Sequence, residues 1–266
     1  MFDAHQSLDG YFKQIGGRTY IDGYPMLIIK LDDLKNGIVI EVGAGVGNDA
    51  SSLLSELGVN PSNLFLFETD AWMHMQLVKR LGEIFGRSGV GHIFLGGVLE
   101  NKFIGGKASF IYANNVLHCL GFDAPREVDA KRNYMLAVTG MIFGWYSQDE
   151  FSKWEEITFR KPIDKIKKVV EESYRLLNYG GIFFGRTLSD KIDERRLEEL
   201  VTKCIKTEEE RFAIETAKAL QDGRLVGVSE KELGKFCRDA GFNAYLAIEK
   251  EPELKPVTDF YFRAEK

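Results

Sequence analysis

The chain has 266 residues, 44% of them hydrophobic, and carries a net charge of −5 with a pI near 5.6. That is enough apolar material for one large α/β domain or two small ones, and the acidic balance disfavours a nucleic-acid backbone as partner. Cys119, Cys204 and Cys237 are too widely spaced for a zinc site or a disulfide framework, which fits a reducing cytoplasm; Met1–His5 lacks a secretory pattern, and the longest near-apolar run, Met135 to Tyr146, is too short to span a bilayer.

The first clear strand is Ile38–Val42, an apolar run with Glu41 near its end. Gly43, Gly45 and Gly47 follow at a spacing of two, and a helix is predicted over about Asp49–Leu57. Glycine suits a turn where backbone must approach a ligand and adopt angles closed to other residues. A dinucleotide fingerprint would place its last glycine at position 48. That position is Asn48, which argues against NAD and for a different nucleoside.

Alternation of strand and helix continues along the chain. The turn Asn60–Asn63 leads into a strand at Leu64–Glu68, followed by a helix at Ala71–Phe85 with Leu77, Val78, Leu81 and Ile84 on one face. Strands are predicted near His92–Leu95 and at Ser109–Ala113, the latter entered through Gly105-Gly106. A helix opens near Pro162 and runs to Leu177, where Asn178-Tyr179-Gly180-Gly181 reads as its glycine cap. A strand at Ile182–Thr187 precedes a charged helical stretch over Asp190–Leu220. Ser229 and Glu232 form a capping-box pattern opening a helix to Ala240. Strands at Ala244–Glu249 and Asp259–Ala264 close the series as an antiparallel pair. This order predicts a mostly parallel sheet covered by helices.

Nearly fifty residues separate the Ser109–Ala113 strand from the Pro162 helix, far more than an ordinary connection. They are rich in aromatic and methionine residues, among them Tyr134, Met135, Met141, Phe143, Trp145, Tyr146 and Trp154. The segment reads either as a helical cap with its own small core or as the lining of an apolar pocket.

Four segments in order resemble the motifs of class I S-adenosylmethionine-dependent methyltransferases. They are Glu41–Gly47, Phe67-Glu68-Thr69-Asp70, Phe110–His118, and Leu176–Phe183. Ala240-Gly241-Phe242 and the ending Phe260–Lys266 also look like that family's C-terminal strands, so the resemblance covers residues 38 to 266 apart from the insertion. It implies a Rossmann-like, doubly wound, seven-stranded sheet, mostly parallel with a C-terminal antiparallel strand. It implies a core domain over 37–266, a cap insertion at about 121–161, and an N-terminal helical lid over 1–36.

The resemblance also implies S-adenosylmethionine as cofactor and S-adenosylhomocysteine as product. Cofactor contacts would come from Glu41, Gly43, Ala44, Gly45, Gly47, Glu68, Thr69, Val98, Leu99 and Asn114. The Glu68 carboxylate offers two acceptor oxygens to two ribose hydroxyls; Asp70 suits the dipole of the following helix better. Asn114 would act through its backbone carbonyl or stand as a plain turn residue. The family often places an acid after its third strand to hold adenine. Gly97 occupies that place here, so Val98 and Leu99 would pack on the ring. Arg18 would pair with the cofactor carboxylate or be an ordinary surface arginine.

The implied reaction is in-line methyl transfer from a sulfonium to a small-molecule acceptor, through oxygen or nitrogen. An alcohol acceptor requires a base; His118 is the candidate, which also reads as a packed turn histidine, and His5 is a second. Tyr11, Tyr134, Phe143, Trp145 and Tyr146 are the candidate pocket residues. No metal is implied. A monomer or homodimer in the cytoplasm completes the expectation. The alternatives are a methyltransferase acting on RNA or protein, and a non-catalytic protein that binds the cofactor. An NAD-dependent oxidoreductase fails for want of a lysine four residues after Tyr134.

Overall fold

The computed structural model describes residues 12–15, 18–21, 24–30, 35–55, 57–86, 92–97, 105–114, 116–117, 162–204, 206–223, 225–249 and 256–266. In the N-terminal part, three strands form an antiparallel sheet: β1 (Phe12–Ile15), β2 (Arg18–Ile21) and β3 (Tyr24–Lys30). At these strands the helical expectation for residues 1–36 is corrected; the rest of residues 1–34 lies outside the described residues. The pairings Ile15 with Arg18 and Ile21 with Tyr24 leave two residues at each reversal. Those residues are Gly16-Gly17 and Asp22-Gly23, the dipeptides that favour two-residue hairpins. The flanks are rich in aromatic and β-branched residues, which prefer strands.

The main sheet has seven strands: β4 (Ile38–Val42), β5 (Leu64–Glu68), β6 (His92–Leu95), β7 (Ala108–Asn114), β8 (Leu177–Ile192), β9 (Ala244–Glu249) and β10 (Val257–Glu265). Their spatial order is β6-β5-β4-β7-β8-β10-β9. The first five run parallel, and β10 is antiparallel to both its neighbours. This is the doubly wound, Rossmann-like sheet that the sequence predicts. The connections move outward from β4 through β5 to β6, then return to β7 on the other side of β4. The switch point of the winding therefore lies between the carboxyl ends of β4 and β7, where open α/β sheets receive ligands.

Helices α1 (Asn48–Ser55), α2 (Ala71–Phe85), α3 (Pro162–Leu176), α4 (Glu194–Thr202), α5 (Glu208–Gln221) and α6 (Glu230–Ala240) accompany the sheet. One core joins α1 and α2 to the sheet through Leu53, Leu54, Leu77, Leu81, Phe110, Tyr112 and Phe184. The opposite core joins α3 and α6 through Ile166, Val170, Phe183, Leu233 and Phe262. Fully apolar burial on both sides explains why the strands read as continuous apolar runs.

Three further boundaries differ from the sequence reading. On α2 only Leu77 and Leu81 are buried, while Val78 and Ile84 are about half exposed. The charged stretch after β8 is two helices rather than one, because Asp193 caps α4 and a reciprocal Thr207–Glu210 capping box opens α5. Asn178–Gly181 is not a helix cap. Leu177 already pairs with Ala108, and the parallel register resumes three residues out of step at Phe110 with Ile182. The bulge is held by Gly180 N–H donating to Lys266 O, with Gly180 at φ 74°. No helix among the described residues is long and apolar enough to cross a membrane.

Candidate functional site

The turn after β4 is fixed by backbone before any side chain takes part. Gly43 and Ala44 N–H both donate to Phe67 O at 2.9 Å, clipping the turn onto β5. Gly47 N–H then closes it on Ala44 O at 3.0 Å. Gly43, Gly45 and Gly47 all have positive φ, at 70°, 56° and 84°, so each position favours glycine. The three differ in what surrounds them. A Cβ on Gly43 would lie 2.3 Å from Val116 Cγ2, and one on Gly47 would lie 2.5 Å from Leu77 Cδ1. A Cβ on Gly45 would meet nothing within 4 Å. Gly43 and Gly47 are thus required by protein packing, and Gly45 is where the turn faces open space.

Glu68 ends β5 beside this turn. Its Oε2 accepts from Gly45 N–H at 2.7 Å and its Oε1 from Asp70 N–H at 2.8 Å. The carboxylate is buried, yet each oxygen accepts one donor and keeps one lone pair. Asp70 caps α2, its Oδ1 accepting from Met73 N–H at 2.8 Å. The two acids therefore divide their work: Asp70 serves the helix, as the sequence suggested, and Glu68 holds the glycine turn. Thr69 joins them, and Gly96 N–H donates to Glu68 O, drawing the end of β6 to the same edge.

Beneath the turn lies a buried polar cluster. Parallel pairing sets Glu41 of β4 opposite Tyr112 of β7. Asp49, in the first turn of α1, accepts from Asn114 Nδ2 at 2.8 Å and from the Tyr112 hydroxyl. Burial raises the Asp49 carboxyl to about 6, against the lowering effect of those two donors. Glu41 is 2% exposed, and its Oε2 has no hydrogen-bond partner. Burial, then Asp49, then Glu68 push its carboxyl well above the ordinary range. Burial and the neighbouring acids also hold the Tyr112 phenol protonated, fixing it as a donor. Among the described residues no group of His, Cys, Asp and Glu is arranged to hold a metal ion.

No protein-family model matches the chain, and no curated protein matches it. Among solved structures it is similar to a phosphoethanolamine N-methyltransferase 2 of Haemonchus contortus, at 10% identity over 86% of this chain and 48% of that one, with a TM-score of 0.53. It is also similar to a geranyl diphosphate methyltransferase solved with S-adenosylmethionine, at 12% identity over 88% and 82% of the two chains and a TM-score of 0.53. A third is the geranyl diphosphate C-methyltransferase of Streptomyces coelicolor, at 10% identity over 88% and 76%, with a TM-score of 0.50. The chain has the fold of these methyltransferases. It spans about half the length of the Haemonchus protein, 48%.

Within this methyltransferase fold, Glu41, Gly43, Ala44, Gly45, Gly47, Glu68, Thr69 and Asn114 come together at the carboxyl ends of β4, β5 and β7. Arg18 lies in β2 of the N-terminal sheet. Val98, Leu99, His118, His5, Tyr11, Tyr134, Phe143, Trp145 and Tyr146 lie outside the described residues, as does the whole insertion at 121–161. Two members of the site escaped the sequence reading. Asp49 could be read as an acid in a helix first turn, and Tyr112 stands on the same strand face as Asn114. Neither signal separates a buried cluster from an ordinary cap or core residue. The Asn114 side chain was also missed: its amide is committed to Asp49.

Proposed function

We propose that the chain is an S-adenosylmethionine-dependent methyltransferase acting on a small-molecule acceptor through an oxygen or nitrogen nucleophile. The observation that carries this reading is the Glu68 carboxylate. It is anchored to Gly45 and Asp70 N–H at the carboxyl end of β5, beside the glycine of the turn whose Cβ would meet no described residue. The residues present fit such a cofactor. The two spare lone pairs of Glu68 match two ribose hydroxyls. Gly43, Ala44, Gly45 and Gly47 supply a backbone surface without side chains. Asn114 offers its carbonyl while its amide is tied to Asp49, and Glu41 places a carboxyl below the turn. Thr69, Val98 and Leu99 complete the adenine side, and Arg18 pairs with the cofactor carboxylate.

Bound S-adenosylmethionine supplies a methyl group on a sulfonium that is already a good leaving group. The chain's own work is then to align the acceptor and exclude water. Tyr11, Tyr134, Phe143, Trp145 and Tyr146 are assigned to the acceptor pocket. His118, with His5 second, takes the acceptor proton where the nucleophile is an alcohol. The net charge of −5 supports a small acceptor over RNA.

Titration calorimetry with S-adenosylhomocysteine tests the site. Glu68→Gln weakens binding by about 10- to 100-fold, the worth of a charge-assisted pair; unchanged affinity would overturn the assignment. Methyl-labelled cofactor mixed with cell extract tests the acceptor class. Label in the small-solute fraction supports the reading, and label only in RNA or protein refutes the small acceptor.

A further inference from the structure

The buried acids beneath the glycine turn hold more negative charge than the described residues around them neutralise. We propose that Glu41 holds a proton in the free protein, and that a cationic group of the ligand displaces it, so that binding releases a proton to solvent. This deepens the proposed function and rests on it.

The argument starts from the pairing of donors. Asp49 accepts two, Asn114 Nδ2 and the Tyr112 hydroxyl, and is equipped to carry a negative charge. Glu41 is as deeply buried, and its Oε2 accepts none. An ionised carboxylate in that setting lacks both donor and countercharge. The groups facing the pair offer no relief. They are Glu68 from β5, Tyr112 and Asn114 from β7, and Tyr261 of β10 beyond Tyr112. Two of these are phenols, one is an amide, and one is a third acid, so none of them brings a cation.

A buried carboxyl group with neither donor nor countercharge keeps its proton. The proton rests on Glu41, which has no donor to lose. A ligand cation entering over Gly45 supplies the missing countercharge. The Glu41 O–H bond then breaks, its proton goes to the buffer, and both carboxylates stand against the cation. The ligand chemistry is an ammonium or a sulfonium, and both occur in S-adenosylmethionine.

The experiment is calorimetry of the whole chain above the pH of about 6 at which Asp49 titrates, in buffers of different ionisation enthalpy. S-adenosylmethionine carries both cations, S-adenosylhomocysteine only the ammonium, and 5′-methylthioadenosine neither. The expected result is release of about one proton with a cationic ligand and none with methylthioadenosine. The affinity of the cationic ligand then falls by up to about tenfold per pH unit on the acid side. Release with the first two ligands identifies the ammonium as the displacing group, and release with S-adenosylmethionine alone identifies the sulfonium. Glu41→Gln binds without release; if it does not fold, the three-ligand comparison on the wild-type chain decides by itself. Binding of all three ligands with no proton released overturns the inference and leaves the proposed function standing. Failure of all three to bind overturns both.

Discussion

At the scale of single residues, the glycine turn separates two reasons for the same amino acid. Gly43→Ala and Gly47→Ala drive a Cβ into Val116 and Leu77, so each is expected to lower stability by more than the backbone penalty of about 1–2 kcal/mol. Gly45→Ala meets no atom of the described residues within 4 Å. It is expected to cost only that backbone penalty while strongly reducing cofactor affinity. Urea denaturation alongside calorimetry checks the split; equal loss of stability at all three positions would sink it. Asp49 makes a second prediction. Its folded carboxyl is raised from 3.8 to about 6, the reverse of the usual salt-bridged acid. Its stabilising contribution is therefore full below about 4 and is lost as pH rises through 6. The shift corresponds to about 3 kcal/mol. Asp49→Asn removes the dependence, so its stability relative to the wild type should grow between pH 4 and 7 in the free protein. Motif spacing made Gly43–Gly47 and the helix role of Asp70 readable from sequence. It could not expose the Glu41–Asp49–Tyr112 cluster, because those contacts depend on the register of β4 against β7 and on where α1 begins.

At the scale of elements, local chemistry decided what was readable. The α2 boundaries coincide with the sequence reading because Asp70 caps the start and Gly86 ends it. Asp70→Ala is expected to cost about 1 kcal/mol of stability while leaving affinity within about twofold, since Asp70 serves the helix. Thermal denaturation with a binding isotherm distinguishes this from a site role. Elements were missed where a local signal stood in the sequence but a longer pattern overrode it. Gly16-Gly17 and Asp22-Gly23 mark hairpins, and Thr207 with Glu210 marks a helix start inside a charged run. The Asn178–Gly181 bulge is different. Its glycines suit a cap as well as a bulge, and only pairing with Ala108 and Lys266 decides between them.

At the scale of the molecule, the sheet order was readable because apolar runs, glycine turns and helices alternate in the sense that winds a parallel sheet. The site sits where that winding reverses. Binding there should therefore stabilise the whole cooperative unit, by about 2.7 kcal/mol at a ligand concentration one hundred times Kd. A rise in melting temperature with S-adenosylmethionine checks this. The strand β10 has one further consequence. It is the last strand of the sheet in the chain, yet it lies between β8 and β9, pairing with both. While the chain emerges from the ribosome, β8 must wait with an open edge, and β9 has no neighbour to join. The sheet can be completed only by sliding a late strand into a gap flanked by earlier ones, so synthesis interrupted before β10 leaves an exposed edge of Phe183 and Phe184 that invites aggregation or chaperone capture.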